Sequence, residues 1–178
     1  REVEEVKKEI KKLSDENKEV LERARKRIED LSRENEDVLR RLKERNEDLN
    51  RRVRELKERN VSEDELEKIL RELEKKTEEL ADEIRRINED LDRKLREIEK
   101  EIEEINEKLK KKLEEIERRG VDEEVLRDIR RELKENHDEN RKVIEDVRRI
   151  AEENHRRNKR VIDEIRRSNK ETVDELRK

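Results

Sequence analysis

An 18-residue repeat over residues 13–48 decides the fold of this chain. Residues 13–30 read LSDENKEVLERARKRIED, and residues 31–48 read LSRENEDVLRRLKERNED. A second pair of copies fills residues 136–171, which read NHDENRKVIEDVRRIAEE and then NHRRNKRVIDEIRRSNKE. Because an α-helix has about 3.6 residues per turn, this repeat equals five whole turns, and its side chains stay on one face of a straight helix. The repeat therefore predicts long, nearly unsupercoiled helices.

Apolar residues recur every three or four positions, which is the spacing of a helix with one buried face. In the first helix the inward positions are Val3, Val6, Ile10, Leu13, Asn17, Val20, Ala24, Ile28, Leu31, Asn35, Val38, Leu42, Asn46, Leu49, Val53 and Leu56. The other positions are nearly all Glu, Lys, Arg or Asp, so no second apolar face remains. Each helix then buries one face against two neighbours. We expect a monomer without partners, with a homo-oligomer as the alternative.

Two short interruptions divide the chain into three similar parts. Asn60 is followed by Ser62, and the single glycine, Gly120, is followed by Asp122. Asn and Gly accept the left-handed conformation after a helix C-terminus, and Ser and Asp are preferred N-caps. Loops this short join antiparallel neighbours, so the sequence predicts an all-α, up-down-up three-helix bundle with helices of about 57 residues. The helices are predicted over about residues 2–58, 63–118 and 123–177, and residues 1–178 are predicted to form a single domain.

Composition excludes several classes of function. The chain has 178 residues, of which 62% are charged, a net charge of −4, and no aromatic residue, Met, Cys or Pro. Acidic and basic residues are mixed and no Phe, Tyr or Trp is available to stack on a base, so we expect no nucleic-acid partner. No apolar run approaches the roughly 20 residues of a membrane span, so we expect no membrane partner. Because the chain has no cysteine, the sequence does not indicate a reducing or an oxidising compartment, and the localisation stays open.

Polar residues interrupt the apolar stripes at matching heights. Parallel first and third helices are offset by about 121 residues, and the second helix runs back between them. The first layer is predicted to contain Ser14, Asn17, Asn106, Asn136, His137 and Asn140. The second is predicted to contain Ser32, Asn35, Asn88, Asn154, His155 and Asn158. The third is predicted to contain Asn46, Asn50, Ser168, Asn169 and Thr172, with Thr77 as a further candidate.

These coinciding layers predict hydrogen-bond networks that cross the bundle. An unpaired buried amide or hydroxyl costs about 1–3 kcal/mol, so random placement would be penalised. The expected role of the networks is specificity, because apolar stripes with this period could slip by a whole repeat, and a slipped register would leave polar groups unpaired. We therefore predict a structural scaffold without biochemical activity.

The two histidines are the residues with the largest number of possible chemical roles. His137 and His155 lie about 27 Å apart along one helix, so they cannot share a metal ion. Ser14 beside His137 and Ser32 beside His155 suggest part of a hydrolase triad, but a continuous helix has no cleft and no free backbone N–H groups for an oxyanion. We predict no catalytic, cofactor-binding or metal-binding residue. The alternative function is a pH-responsive bundle or assembly subunit in which protonation of both histidines disrupts the networks.

The whole chain resembles de novo designed helical bundles with modular buried hydrogen-bond networks that contain histidine. The matching features are the capped loops at Ser62–Glu65 and Gly120–Asp122, the straight-helix repeat and the layered Asn, Ser and His residues. Some members of that class use buried histidines as pH triggers, which the resemblance implies for His137 and His155. Natural spectrin-like repeats share the up-down-up course, but they bury aromatic residues and follow heptads, and this chain does neither.

Overall fold

The protein consists of three long helices, seen in a computed structural model that describes residues 2–178. Helix α1 spans Glu2–Glu58, α2 spans Glu63–Arg118 and α3 spans Glu123–Arg177. Their lengths are 57, 56 and 55 residues. Each helix has acidic residues in its first turn and a basic residue in its last turn, which complements the helix dipole. The predicted all-α fold of three helices of similar length is confirmed.

The two connections adopt the predicted backbone conformations. Asn60 has φ 56° and Gly120 has φ 68°. These values lie in the left-handed region, which glycine enters without side-chain strain and which asparagine tolerates. Ser62 caps α2, because its Oγ accepts a hydrogen bond of 3.3 Å from the backbone N–H of Glu65. Each connection therefore ends one helix and starts the next within a few residues.

The chain forms two compact units, and each unit contains a segment of every helix. The first unit comprises the chain up to Asp30 together with Arg93–Ala151. The second comprises Leu31–Asp92 together with Glu152–Lys178. Within the second unit the α1 and α3 segments run parallel, because Asn35 bonds to Asn158 and the later Asn50 bonds to the later Asn169. The assignment of the whole chain to a single domain stays a prediction.

The hydrophobic clusters of both units consist of aliphatic side chains alone. In the first unit the buried cluster contains Val6, Ile10, Leu109, Ile116, Leu126, Ile129 and Leu133. In the second unit one cluster contains Leu39, Leu42, Leu80, Ala81, Ile84, Val161, Ile162 and Ile165. Another cluster there contains Val53, Leu70, Leu73, Val173 and Leu176. Among residues 2–178 no large hydrophobic side chain is exposed, so the apolar stripes point inward throughout the described chain.

An ion pair between α1 and α2 gives the first unit a weak pH dependence. Lys112 Nζ lies 2.9 Å from Glu9 Oε2, and Arg119 Nη1 lies 3.4 Å from the same oxygen. The hydrogen bond from Lys112, together with the attraction of both cations, holds the pKa of Glu9 below its ordinary value. A carboxylate whose pKa is lowered by folding stabilises the protein at neutral pH, and this contribution disappears as the pH falls through the folded-state pKa.

We therefore expect Glu9→Gln to lower the free energy of unfolding by less than about 1 kcal/mol at pH 7, because the side chain is half exposed and screened by water. Near pH 2 the two proteins should be equally stable, since the carboxyl is then protonated in both the folded and the unfolded chain. Urea unfolding at the two pH values measures the difference. Glu16→Gln, at an exposed position of the same helix, is the control. An equal loss at both pH values would show that the charge is not the cause.

Candidate functional site

The inward polar residues form hydrogen-bond networks between the helices. The buried polar side chains are Ser14, Asn17, Asn35, Asn46, Asn50, Thr77, Asn136, Asn140, Asn154, Asn158, Asn169 and Thr172. Side-chain hydrogen bonds between buried polar residues of α1 and α3 join positions 119 to 123 residues apart. This spacing agrees with the predicted offset of about 121 residues between parallel helices.

The first network lies in the first unit and centres on α1 and α3. Asn17 Nδ2 donates to Asn136 Oδ1 at 3.3 Å, and Asn136 Nδ2 donates to Ser14 Oγ at 2.6 Å. Nearby, Asn140 Nδ2 donates to Asn106 Oδ1 at 2.5 Å. The predicted layer is thus divided into a chain of three residues between α1 and α3 and a pair between α3 and α2.

The second network lies in the second unit and crosses all three helices. Asn35 Nδ2 donates to Asn158 Oδ1 at 3.0 Å, and Asn158 Nδ2 donates to Asn88 Oδ1 at 2.8 Å. Asn88 Nδ2 lies 3.0 Å from His155 Nδ1. Because Asn88 Oδ1 already accepts a hydrogen bond, the amide N–H faces the imidazole, and Nδ1 is the acceptor in the neutral ring. The result is a relay of three amides that ends at a histidine.

A separate pair accompanies this relay. Asn154 Nδ2 donates to Ser32 Oγ at 3.4 Å, and Ser32 is only half-buried. In the first unit the equivalent pair is Ser14 and Asn136, and Asn136 also accepts a hydrogen bond from Asn17 of α1. Here Asn35 bonds to Asn158 instead. Two layers built from repeat-related residues therefore differ in which partners they connect.

The third network, also in the second unit, is organised around Asn169. Asn169 Nδ2 donates to Asn46 Oδ1 at 2.9 Å and to Thr77 Oγ1 at 2.5 Å. Its Oδ1 accepts from Asn50 Nδ2 at 2.6 Å. Thr172 Oγ1 donates to Asn50 Oδ1 at 2.5 Å. Every buried side-chain oxygen and nitrogen of these five residues has a partner within the described chain.

The prediction that both histidines are buried is wrong, because His137 and His155 are exposed. Each follows an inward asparagine by one position, and one residue turns the side chain by about 100° around the helix axis, away from the buried stripe. His137 lines an open groove with Leu133, and Ser14 bonds to an asparagine rather than to this histidine. His155 contacts the second network only through Asn88.

Ser168 differs from its predicted role, whereas Thr77 takes the place expected of it. Ser168 is exposed, and only its backbone carbonyl takes part, accepting a hydrogen bond of 3.1 Å from Thr172. Thr77, a further candidate in the sequence, is a buried member of the third network. Its position in the stripe, four residues after Leu73 and three before Leu80, is the signal that made it a candidate.

The part of the chain that the structure describes contains neither a group of metal-binding side chains nor a membrane-spanning helix. Within residues 2–178 no three side chains of His, Cys, Asp or Glu are grouped so that they could hold a metal ion. The helices of those residues also lack an apolar stretch long enough to cross a membrane.

Comparison with known proteins identifies the fold. No protein-family model matches this sequence, and no curated protein matches it. The chain is similar to a solved structure described as "Computationally designed three helix bundle", with a TM-score of 0.52 and 19% sequence identity. The similarity covers 98% of this chain and 88% of that chain. At this level of identity the likeness shows a shared three-helix bundle fold.

Proposed function

We propose that this chain is a designed structural scaffold whose buried polar networks fix the register and pairing of its helices. The observation that carries the proposal is the third network, in which buried residues of three helices satisfy one another's hydrogen bonds. The likeness to a designed three-helix bundle and the purely aliphatic core support a designed origin, because designed cores prefer such residues for their defined rotamers.

The third network also breaks the 18-residue repeat. Asn50 lies 15 residues after Asn35, and Asn169 lies 11 residues after Asn158, whereas the first two networks are related by 18 residues. A slip of α1 against α3 by one repeat could still bring one pair of Asn layers together. The same slip would separate Asn169 from its α1 partners and leave buried polar groups unpaired, at about 1–3 kcal/mol each. The third network is therefore the one that prevents the slip.

The proposal is tested by replacing the third network with apolar residues and measuring the register. The variant carries Asn46→Leu, Asn50→Leu, Thr77→Val, Asn169→Leu and Thr172→Val. Spin labels are attached to cysteines introduced at Glu47 and Lys170, which are exposed in a chain without native cysteine. Electron–electron double resonance should give one distance for the original network. In the variant we expect a second population, because a slip of one repeat, with the helix ends beside the connections unwound to span it, moves α1 by about 27 Å along α3.

A matched variant changes the first network instead, with Ser14→Ala, Asn17→Leu, Asn136→Leu, Asn140→Leu and Asn106→Leu. Because it keeps the third network, it should retain the single distance between the labels. A single unchanged distance in the third-network variant would show that the apolar stripes alone set the register. That result would remove the proposed role of the networks.

The exposure of the histidines argues against a pH-responsive function. The imidazoles of His137 and His155 lie at the surface, so protonation of either ring leaves no fully buried group unpaired. Only the contact of His155 with Asn88 would have to change its donor and acceptor roles. The proposed scaffold therefore has no pH trigger. It is proposed to act as a monomer without partners, which the lack of exposed large hydrophobic residues among residues 2–178 supports.

A further inference from the structure

Three buried side-chain oxygens lack a hydrogen-bond partner within the described chain, and all three belong to the first two networks. They are Asn17 Oδ1, Asn35 Oδ1 and Asn140 Oδ1. The residues are 0%, 3% and 0% exposed, so bulk water does not reach them. Asn17 and Asn35 occupy the same position in successive repeats. The same atom is therefore left unpaired twice, although the two layers are connected differently.

We propose that the first and second networks each bind one internal water molecule, which donates a hydrogen bond to Oδ1 of Asn17 in one layer and of Asn35 in the other. Buried waters in proteins typically make about three hydrogen bonds to polar groups that are otherwise unsatisfied. A carboxamide oxygen needs a donor, and a water molecule can supply one. The inference goes beyond the scaffold function, because it assigns a bound ligand to the polar layers.

Rotation of a single amide does not satisfy these oxygens. If the Asn17 amide turned by 180°, its oxygen would face Asn136 Oδ1, which now accepts from Asn17 Nδ2 at 3.3 Å. If the Asn35 amide turned, its oxygen would face Asn158 Oδ1 in the same way. Each rotation would exchange a hydrogen bond for a contact between two acceptors. If both amides of a pair turned together, the oxygen would be paired, but Nδ2 of Asn17 or Asn35 would take its unpartnered position, so a further polar group is needed in either orientation.

The surroundings of Asn17 offer three partners to one water. Asn17 Oδ1 and Asn140 Oδ1 are both free to accept. Asn140 follows Asn136 by one helical turn, so its side chain belongs to the same layer. Ser14 Oγ accepts from Asn136 at 2.6 Å, which leaves the Ser14 hydroxyl hydrogen available to donate to the water. Ser14 also lines a groove at the surface of the unit, through which water can exchange.

The second layer offers a similar site with fewer buried partners. Asn35 Oδ1 accepts from the water, and Ser32, three residues earlier on the same face of α1, supplies a hydroxyl. Asn158 Oδ1 already accepts from Asn35 and takes no part. The third network serves as an internal control, because Asn50 Oδ1 accepts from Thr172 and needs no water.

Oxygen-17 relaxation dispersion of water tests the proposal, because it counts long-lived bound waters and is insensitive to the exchange of hydroxyl protons. We expect the count to fall by one in Asn17→Leu and by one in Asn35→Leu, relative to the unchanged protein. In the control Asn50→Leu the count should not fall. Circular dichroism establishes that each variant is folded. An unchanged count in either of the first two variants overturns the proposal.

Diffraction at atomic resolution from crystals of the unchanged protein provides a second measurement that does not depend on the folding of variants. The proposal is supported by one water oxygen within about 2.6–3.2 Å of Asn17 Oδ1 and a second water oxygen within the same distance of Asn35 Oδ1. If Ser14 and Ser32 hydroxyls, or other protein donors, occupy those positions instead, the proposal is overturned.

Discussion

Replacement of Asn169 by leucine is expected to lower the free energy of unfolding by about 2–4 kcal/mol. The substitution removes three side-chain hydrogen bonds of the third network at once. Asn46 Oδ1 and one N–H of Asn50 then stay buried without their partners. The cost follows from the lost hydration of these groups, which the added apolar contacts of leucine offset only in part. Chemical denaturation followed by circular dichroism measures the change.

Two comparisons isolate the cause of this loss. Ser168→Ala changes the exposed neighbour of Asn169 and should alter stability by no more than about 0.5 kcal/mol. The variant in which all five residues of the third network are apolar should be at least as stable as the original protein, because no polar group is left unpaired. If Asn169→Leu alone were neutral or stabilising, the buried amides would have found other partners, and the network would not be a cooperative unit.

The contrast between these variants defines what the networks contribute. Replacing a complete network by apolar residues is expected to keep or raise stability, so the hydrogen bonds are not what makes the folded chain stable. Under the proposed function they favour one arrangement of the helices over its alternatives, because a displaced arrangement leaves several buried polar groups unpaired, as the loss of Asn169 does for Asn46. If both expected results are obtained, specificity and stability are carried by different residues of the same buried face.

Most of the fold could be predicted because it depends on periodicity. The repeat determines which face of each helix is buried, and the residues Asn60 and Gly120 mark where helices end. The expected offset between α1 and α3 can be calculated from helix rise and loop length. For these reasons the heights of the polar layers could be derived without coordinates, and Asn17 and Asn136 do meet.

The partners within each layer could not be predicted. Asn136 and Asn140 lie one turn apart, so both are within reach of an asparagine on α1, and the rotamers of the side chains decide between them. Asn17 bonds to the first of the two, while Asn35 bonds to Asn158, the counterpart of the second. Sequence spacing is equally compatible with either of the two α3 asparagines as the hydrogen-bond partner.

The sequence also did not determine which residues at the edge of an apolar stripe are exposed and which are buried. His137, His155 and Ser168 each follow a buried asparagine or precede one by a single position. A helical projection places such residues near the boundary of the buried face, where a small rotation of the helix decides between core and solvent. Thr77 lies closer to the centre of its stripe and is buried.

Ile84→Ala is expected to lower the free energy of unfolding by about 2–5 kcal/mol, one of the largest effects of any single substitution in this protein. Ile84 is 0% exposed and lies in the cluster that packs α1, α2 and α3 together in the second unit. The cluster has no aromatic or methionine side chain that could shift into the space left behind, so most of the cavity would remain. Thermal and denaturant unfolding, followed by circular dichroism, measure the loss.

The same helix supplies two controls for this substitution. Ile84→Val removes a single methyl group and should cost about 0.5–1.5 kcal/mol. Ile87→Ala deletes the same atoms from a residue three positions later that is only half-buried, so its cost should be clearly smaller, because water fills the space and less apolar surface is lost. If Ile84→Ala and Ile87→Ala were equally destabilising, helix propensity or the denatured state would control stability here. The large loss at Ile84 alone would show that close aliphatic packing, independent of the polar networks, holds the helices together.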